Sequence, residues 1–288
     1  MKRQTPPTNQ EMEPLWKMQE YVEFEDIVAW RDEVGVRKGV VYENGRVLFN
    51  AWPVRPHEHI VAEFNSQFDR QYMSPYAGTA HYPVFTNDGT TGIYPKNEFD
   101  VLDIRIPGRG RNQQPDSAWR PKPRPQPLVP NALLPLLPMQ PNGKPYPSLV
   151  MEVGNSQSIP DLIRIRDRML SWFTAINVFV LISYNRNASR ATDGWFFQIS
   201  ARDFYAPQPP PGTGANYPAC TVLYETPKLG ARYPRVETPL AQGAQHYDIP
   251  TSHLYEPEAL PILNPPLPAS FRINIEEIRA TIMNERDP

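Results

Sequence analysis

Apolar residues recur along the chain at two spacings, and the switch between them marks out its elements. In RPHEHIVAEFNSQFDRQY (55–72), Ile60, Val61, Phe64, Phe68 and Tyr72 fall three or four residues apart, which predicts one buried helix face. GVVYENGRVLFNAW (39–52) holds two β-rich runs around Asn44-Gly45, the strongest short-range signal for a hairpin. EFDVLDIRIP (98–107) alternates as a strand does, and QQPDSAWRP (113–121) predicts a short strand entered through Pro115. SLVMEV (148–153) and INVFVLIS (176–183) are continuous apolar runs suited to buried strands, and GWFFQIS (194–200) is a further strand. FRINIEEIRATIMNE (271–285) reads as a strand or arm running into a helix, and one or two helices are expected within 12–34.

Between two of these strands, DLIRIRDRML predicts a helix, with NSQS (155–158) supplying capping side chains and Pro160 and Asp161 in its first turn. Advancing about 100° per residue, Leu162, Ile163, Ile165, Met169, Leu170, Trp172 and Phe173 share one half of the wheel. Asp161, Arg164, Asp167, Arg168 and Ser171 share the other. Arg166 falls in the middle of the apolar half, so its guanidinium must point at the sheet, where it needs acceptors. Glu152, near the end of the preceding apolar run, is the nearest candidate partner in sequence, and Asp116 is the second. The pair is either a structural ion pair or part of a site. Two carboxylates with a cation beside them are what metal-assisted phosphodiester hydrolysis requires.

Composition narrows the setting. The chain has 288 residues, enough for one large domain with long arms, and a net charge of −2, which gives no global basic field. Its 36 prolines cluster in 120–147, 206–214 and 257–268, which are expected to be loops or extended arms. Expected boundaries are a flexible arm over 1–20, an α/β domain over 21–205 with a Pro-rich insertion at 120–147, and a Pro-rich C-terminal extension over 206–288 ending in a short helix. A single cysteine, Cys220, suits a reducing compartment and a packed thiol. The opening residues lack an apolar stretch typical of signal peptides and no run of about twenty apolar residues follows, so a cytoplasmic or nuclear protein with no membrane partner is expected. GxSxG, GxxxxGK[ST], HExxH and paired CxxC motifs are absent.

The ordered set YENGRVLF, RPHEHIV, PDSAW, PSLVMEVGNSQS, DLIRIRDRML and INVFVLIS resembles the family of proposed restriction endonucleases within the PD-(D/E)XK nuclease superfamily, common in cyanobacteria and other bacteria. The resemblance covers about residues 20 to 200, and LPASFRINIEEI resembles the family's closing segment. It implies a restriction-endonuclease-like α/β fold, a mixed central sheet flanked by helices, here with Pro-rich loops and arms. It also implies Mg²⁺-dependent hydrolysis of DNA, with Asp116 and Glu152 as ligands of Mg²⁺ or Mn²⁺. The family's helix lysine corresponds to Arg166, which keeps the charge but cannot give up its proton. The acid that many members carry before the hairpin glycine falls at Val41, and Glu43 does not align with it.

His57 matches the family's Pro-x-His position and is expected either to meet the scissile phosphate or to cap and pack; His59 should face away. Ser156 and Gln157, at a helix N-terminus, suit phosphate or capping. Arg105, Arg109 and Arg111 suit a nucleic-acid backbone or a solvated loop. DNA is the expected partner, a homodimer the expected assembly, and the Pro-rich arm a docking segment for another protein or a spacer. The alternative reading is a catalytically inactive nuclease-fold protein that binds nucleic acid or acts as an interaction scaffold.

Overall fold

A computed structural model describes residues 40–43, 46–49, 55–88, 115–122, 146–154, 159–170, 174, 176–184, 195–203, 220–229, 233–255 and 263–284, with side chains from Pro56 onward except Arg168. The hairpin lies where Asn-Gly places it: β1 (Val40–Glu43) pairs antiparallel with β2 (Arg46–Phe49), Val40 opposite Phe49. Helix α1 (Arg55–Tyr72) follows. Six strands then form one mixed sheet, in the spatial order of their sequence: β3 (Phe85–Asn87), β4 (Ser117–Pro121), β5 (Leu149–Gly154), β6 (Val178–Ser183), β7 (Phe196–Arg202) and β8 (Cys220–Glu225). Only the β5–β6 pair is parallel, and helix α2 (Ile159–Met169) makes that crossover. The expected α/β class and mixed sheet are therefore present.

Side-chain alternation sends residues of each central strand to two cores. On one face Trp119, Met151, Val153, Val180, Ile182, Phe197 and Ile199 pack with Ile60, Phe64 and Phe68 of α1. On the other, Ala118, Val150, Phe179, Leu181 and Phe196 pack with Leu162, Met169 and Leu170 of α2. Both faces are covered, which is why β5 and β6 read as unbroken apolar runs. Gly154 permits the close seating of α2, since a methyl there would lie 2.6 Å from a Leu162 methyl carbon.

The C-terminal residues are built into the α1 side. β9 (His246–Pro250) pairs with β10 (Ser270–Asn274), flanking the one-turn helix α3 (Thr251–Leu254), and α4 (Ile275–Asn284) continues directly from β10. Phe271 packs edge-on against Phe64 at 5.8 Å and against Phe68 at 5.0 Å. Two glutamines of α1 complete the outer edge of β10. Gln67 accepts from Asn274 N–H (2.8 Å) and donates to Asn274 C=O (3.2 Å), and Gln71 does the same at Arg272 (2.9 and 2.8 Å). The helix thus satisfies a strand edge as a neighbouring strand would. Among the described residues no helix is long and apolar enough to cross a membrane.

The strand expected over 98–107, the helices expected within 12–34 and the capping turn 155–158 lie outside the described residues.

Candidate functional site

Asp116 stands one residue before β4, where Pro115 ends the incoming segment. Its backbone N–H donates to Met151 C=O (3.1 Å), the residue that Ser117 already pairs with, so the regular β4–β5 ladder ends there. Ser117 pairs with Met151 in the antiparallel register, so Asp116, the next residue out, falls beside Glu152, whose carboxyl feels its charge. The charge of Asp116 raises the Glu152 carboxyl, which places the two acids near enough to repel each other. The register thereby joins residues that the sequence separates widely.

The two acids have different surroundings. Asp116 Oδ2 accepts the Val153 N–H (2.8 Å), and its Oδ1 accepts Nε2 of His57 (2.9 Å), from the first turn of α1. Glu152 is 7% exposed and its Oε2 has no hydrogen-bond partner. Burial, then the charge of Asp116, hold the Glu152 carboxyl well above the usual carboxylate range. His57 is likewise 7% exposed. Burial opposes its charge, but the Asp116 contact and the Glu58 carboxylate 3.6 Å from Nδ1, with the charges of both acids, outweigh that, raising it to about 9. That shift favours the imidazolium form at neutral pH.

Arg166 does point at the sheet, as the wheel requires, but the expected pairing with Glu152 or Asp116 is corrected: its partners lie elsewhere. Its Nη1 donates to Gln198 Oε1 (2.6 Å), and Nε and Nη2 donate to Asp167 Oδ1 (2.8 and 2.5 Å). The register explains this. Glu152 pairs with Leu181, Leu181 with Gln198, and Gln198 with Glu225, so one transverse row crosses four strands. With strands about 4.8 Å apart, Gln198 sits some 9–10 Å from Glu152 along that row, with Leu181 between them. Gln198 passes the connection on, donating to Glu225 Oε2 (2.7 Å), whose Oε1 accepts from Tyr233 (3.0 Å). Cys220 is a half-buried thiol beside this network, pushed up by burial.

The structure thus brings His57 onto Asp116, sets Glu152 within reach of the charge of Asp116, and engages Arg166 two strands away. His59 is exposed, as its position two residues on suggests. Arg105, Arg109, Arg111, Ser156 and Gln157 lie outside the described residues. Arg120, next to the Pro-rich arm, forms a two-pronged pair with Asp88 (3.0 and 3.1 Å).

A divalent ion suits this donor set by chemistry. Among the described residues no three His, Cys, Asp or Glu side chains form a ready-made cage. Mg²⁺ needs none: it commonly takes one or two carboxylates and keeps several waters. The buried, unpartnered Oε2 of Glu152 near a second carboxylate is an oxygen whose ionised form lacks compensation, and a hard cation would supply it.

Fold and site together define an α/β protein with two neighbouring acids at the mouth of adjoining strands. No family model matches the chain, and no curated protein matches it. It is similar to a crystal structure, at 1.96 Å resolution, of a candidate nuclease of DUF820 from Anabaena variabilis ATCC 29413, with a TM-score of 0.38 and 13% identity over 84% of this chain and 90% of that one.

Proposed function

We propose that this chain is a nuclease-type protein of the PD-(D/E)XK kind, in which Asp116 and Glu152 hold Mg²⁺ or Mn²⁺ and a DNA phosphodiester is the substrate. The observation that carries this reading is Glu152, buried with an orphaned oxygen, beside Asp116 at the end of the β4–β5 ladder. Two acids placed this way destabilise the metal-free fold, an arrangement characteristic of functional sites.

A cation bound there would supply Lewis-acid stabilisation of the charge that develops at phosphorus. Asp116 is oriented for the task by the Val153 N–H on one oxygen and by His57 on the other. His57 adds a positive charge beside the acids, where an anionic backbone would approach. It takes the place that Arg166 was expected to fill, because the guanidinium is engaged by Gln198 and Asp167. Cleavage of both strands would call for two such sites, which favours a homodimer.

A second reading, a catalytically inactive relative that binds nucleic acid, is favoured by that same engagement of Arg166, which leaves the acids without the family's long-chain cation. Plasmid DNA incubated with Mg²⁺ or Mn²⁺ separates the two. The leading reading expects nicking that Asp116→Ala and Glu152→Ala each abolish. Binding at low salt without nicking would favour the inactive relative, and cutting that survives both substitutions would reject the assignment of these acids.

A further inference from the structure

One polar residue on the buried side of α1 takes no part in the proposed chemistry. Asn65 lies four residues after Val61 and three before Phe68, within the apolar stripe of the helix. Its Oδ1 accepts two hydrogen bonds from β4, from Ser117 Oγ (2.5 Å) and from Trp119 Nε1 (3.0 Å). An indole N–H can only donate, so the group facing it must be the amide oxygen. Ser117 is 1% exposed and Trp119 4%, so neither donor has water to replace a lost acceptor.

Helix α1 therefore touches β4 through two polar anchors. His57 meets Asp116 at the strand's entrance, and Asn65, about 12 Å further along the helix axis at 1.5 Å per residue, meets the residues that follow Asp116. Apolar packing between them sets the distance of the helix from the sheet but resists rotation and sliding poorly. Two directional bonds converging on one oxygen fix both.

We propose that Asn65 is a positioning residue for the candidate site: its double acceptor contact with Ser117 and Trp119 locks α1 against β4 so that His57 reaches Asp116. The placement of His57 stands on geometry alone, while its consequence for cleavage rests on the nuclease reading. Residues that orient first ligands in this way typically alter affinity or activity by about 10–100-fold when removed.

The test compares Asn65→Ala with Asn65→Asp in the full chain. The carboxylate keeps an acceptor oxygen for both donors and the methyl keeps none. The first readout is the ¹⁵N and proton signature of the His57 ring, which reports its hydrogen bond to Asp116 without any need for activity. Asn65→Ala should lose that signature and Asn65→Asp should restore it. Gln71→Ala, which breaks a different contact of α1, should leave it intact. If the chain nicks plasmid, Asn65→Ala should lower kcat by about 10–100-fold with little change in KM. A folded Asn65→Ala protein with an unaltered His57 signature overturns the proposal. Should that variant not fold, Ser117→Ala and Trp119→Phe each delete one donor, and an unaltered His57 ring in both overturns it equally. Absence of nicking in the wild type would sink the nuclease reading and leave the positioning role to be decided by the ring signature.

Discussion

Glu152 lies beside Asp116 at the end of the β4–β5 ladder, one carboxyl buried with an unpartnered oxygen and the other held by His57 and by a backbone N–H. Like charges placed in this way work against folding. The consequences for stability can be measured without knowing the substrate.

The first concerns Glu152→Gln. In the unfolded chain this carboxyl ionises near 4.5, whereas in the folded protein burial and Asp116 hold its proton to higher pH. The folded state then binds more protons than the unfolded one above that pH, so the wild type loses stability as pH rises, and the variant lacks this loss. In metal-free buffer the variant should melt above the wild type at pH 7–8, with the gap closing toward pH 4. Each kcal/mol relieved should appear as about 2–4 °C. Parallel melting curves across that range would contradict the buried, uncompensated carboxyl.

Divalent ions should have the opposite selectivity. Mg²⁺ or Mn²⁺ at about 100 times its dissociation constant should stabilise the wild type by about 2.7 kcal/mol, and should not stabilise Asp116→Asn or Glu152→Gln. Differential scanning calorimetry with and without the ion reads this directly. Equal stabilisation of all three proteins would place the cation elsewhere.

His57→Gln should show a pH dependence of its own. The imidazole is raised from 6.5 to about 9, so the stability it contributes is fully present below 6.5 and disappears as pH rises through about 9. Urea titrations in EDTA should find the wild type ahead by up to a few kcal/mol at pH 6, with the difference largely gone by about pH 10. A difference that grew with pH would mean that the ring is buried neutral.

Arg166→Lys tests the relocation of the guanidinium. A lysine cannot reproduce the fork to Gln198 and Asp167, so a loss of about 1–3 kcal/mol in stability is expected. The stabilisation by Mg²⁺ should be unchanged, because the side chain does not touch the acids. A marked change in divalent-ion affinity would return Arg166 to the site.

Gln67→Ala and Gln71→Ala each leave a backbone N–H and C=O of β10 without a protein partner. Gln67 is buried and Gln71 half-buried, so the first should cost about 1–3 kcal/mol and the second less, where water can substitute. Amide exchange at Asn274 should accelerate in the former and at Arg272 in the latter.

Much of this protein was legible in its sequence because the signals are local. Periodicity found α1, α2, the buried β5 and β6, and the strand running into α4, and Asn44-Gly45 marked the hairpin. Asn65 lies within the apolar stripe of α1, four residues after Val61 and three before Phe68, a signal that residue spacing alone carries. Which acceptor or donor meets each group could not be read in that way, since a helical wheel gives a direction and no partner. Glu152 attracted notice as a charge in an apolar run, and the run does bury it. Gln67 and Gln71 read as ordinary helix polars until β10 supplies the strand edge they complete.

What the sequence by itself determined is the hairpin, α1, α2, β4 to β7 and the run from β10 into α4, because these follow from side-chain period and from the backbone preferences of a few residues, whereas β3, β8 and β9 carry no such signal. Tertiary structure alone decided that Asp116 and Glu152 come side by side, that His57 meets Asp116 while Arg166 meets Gln198, and that Leu181 stands between Glu152 and Gln198. Those facts depend on strand order and register, which are fixed when two apolar faces, on α1 and α2, close on the sheet at once. A shift of one residue in the β4–β5 pairing would send one set of side chains to the wrong core, and that long-range packing constraint is what places the two acids together.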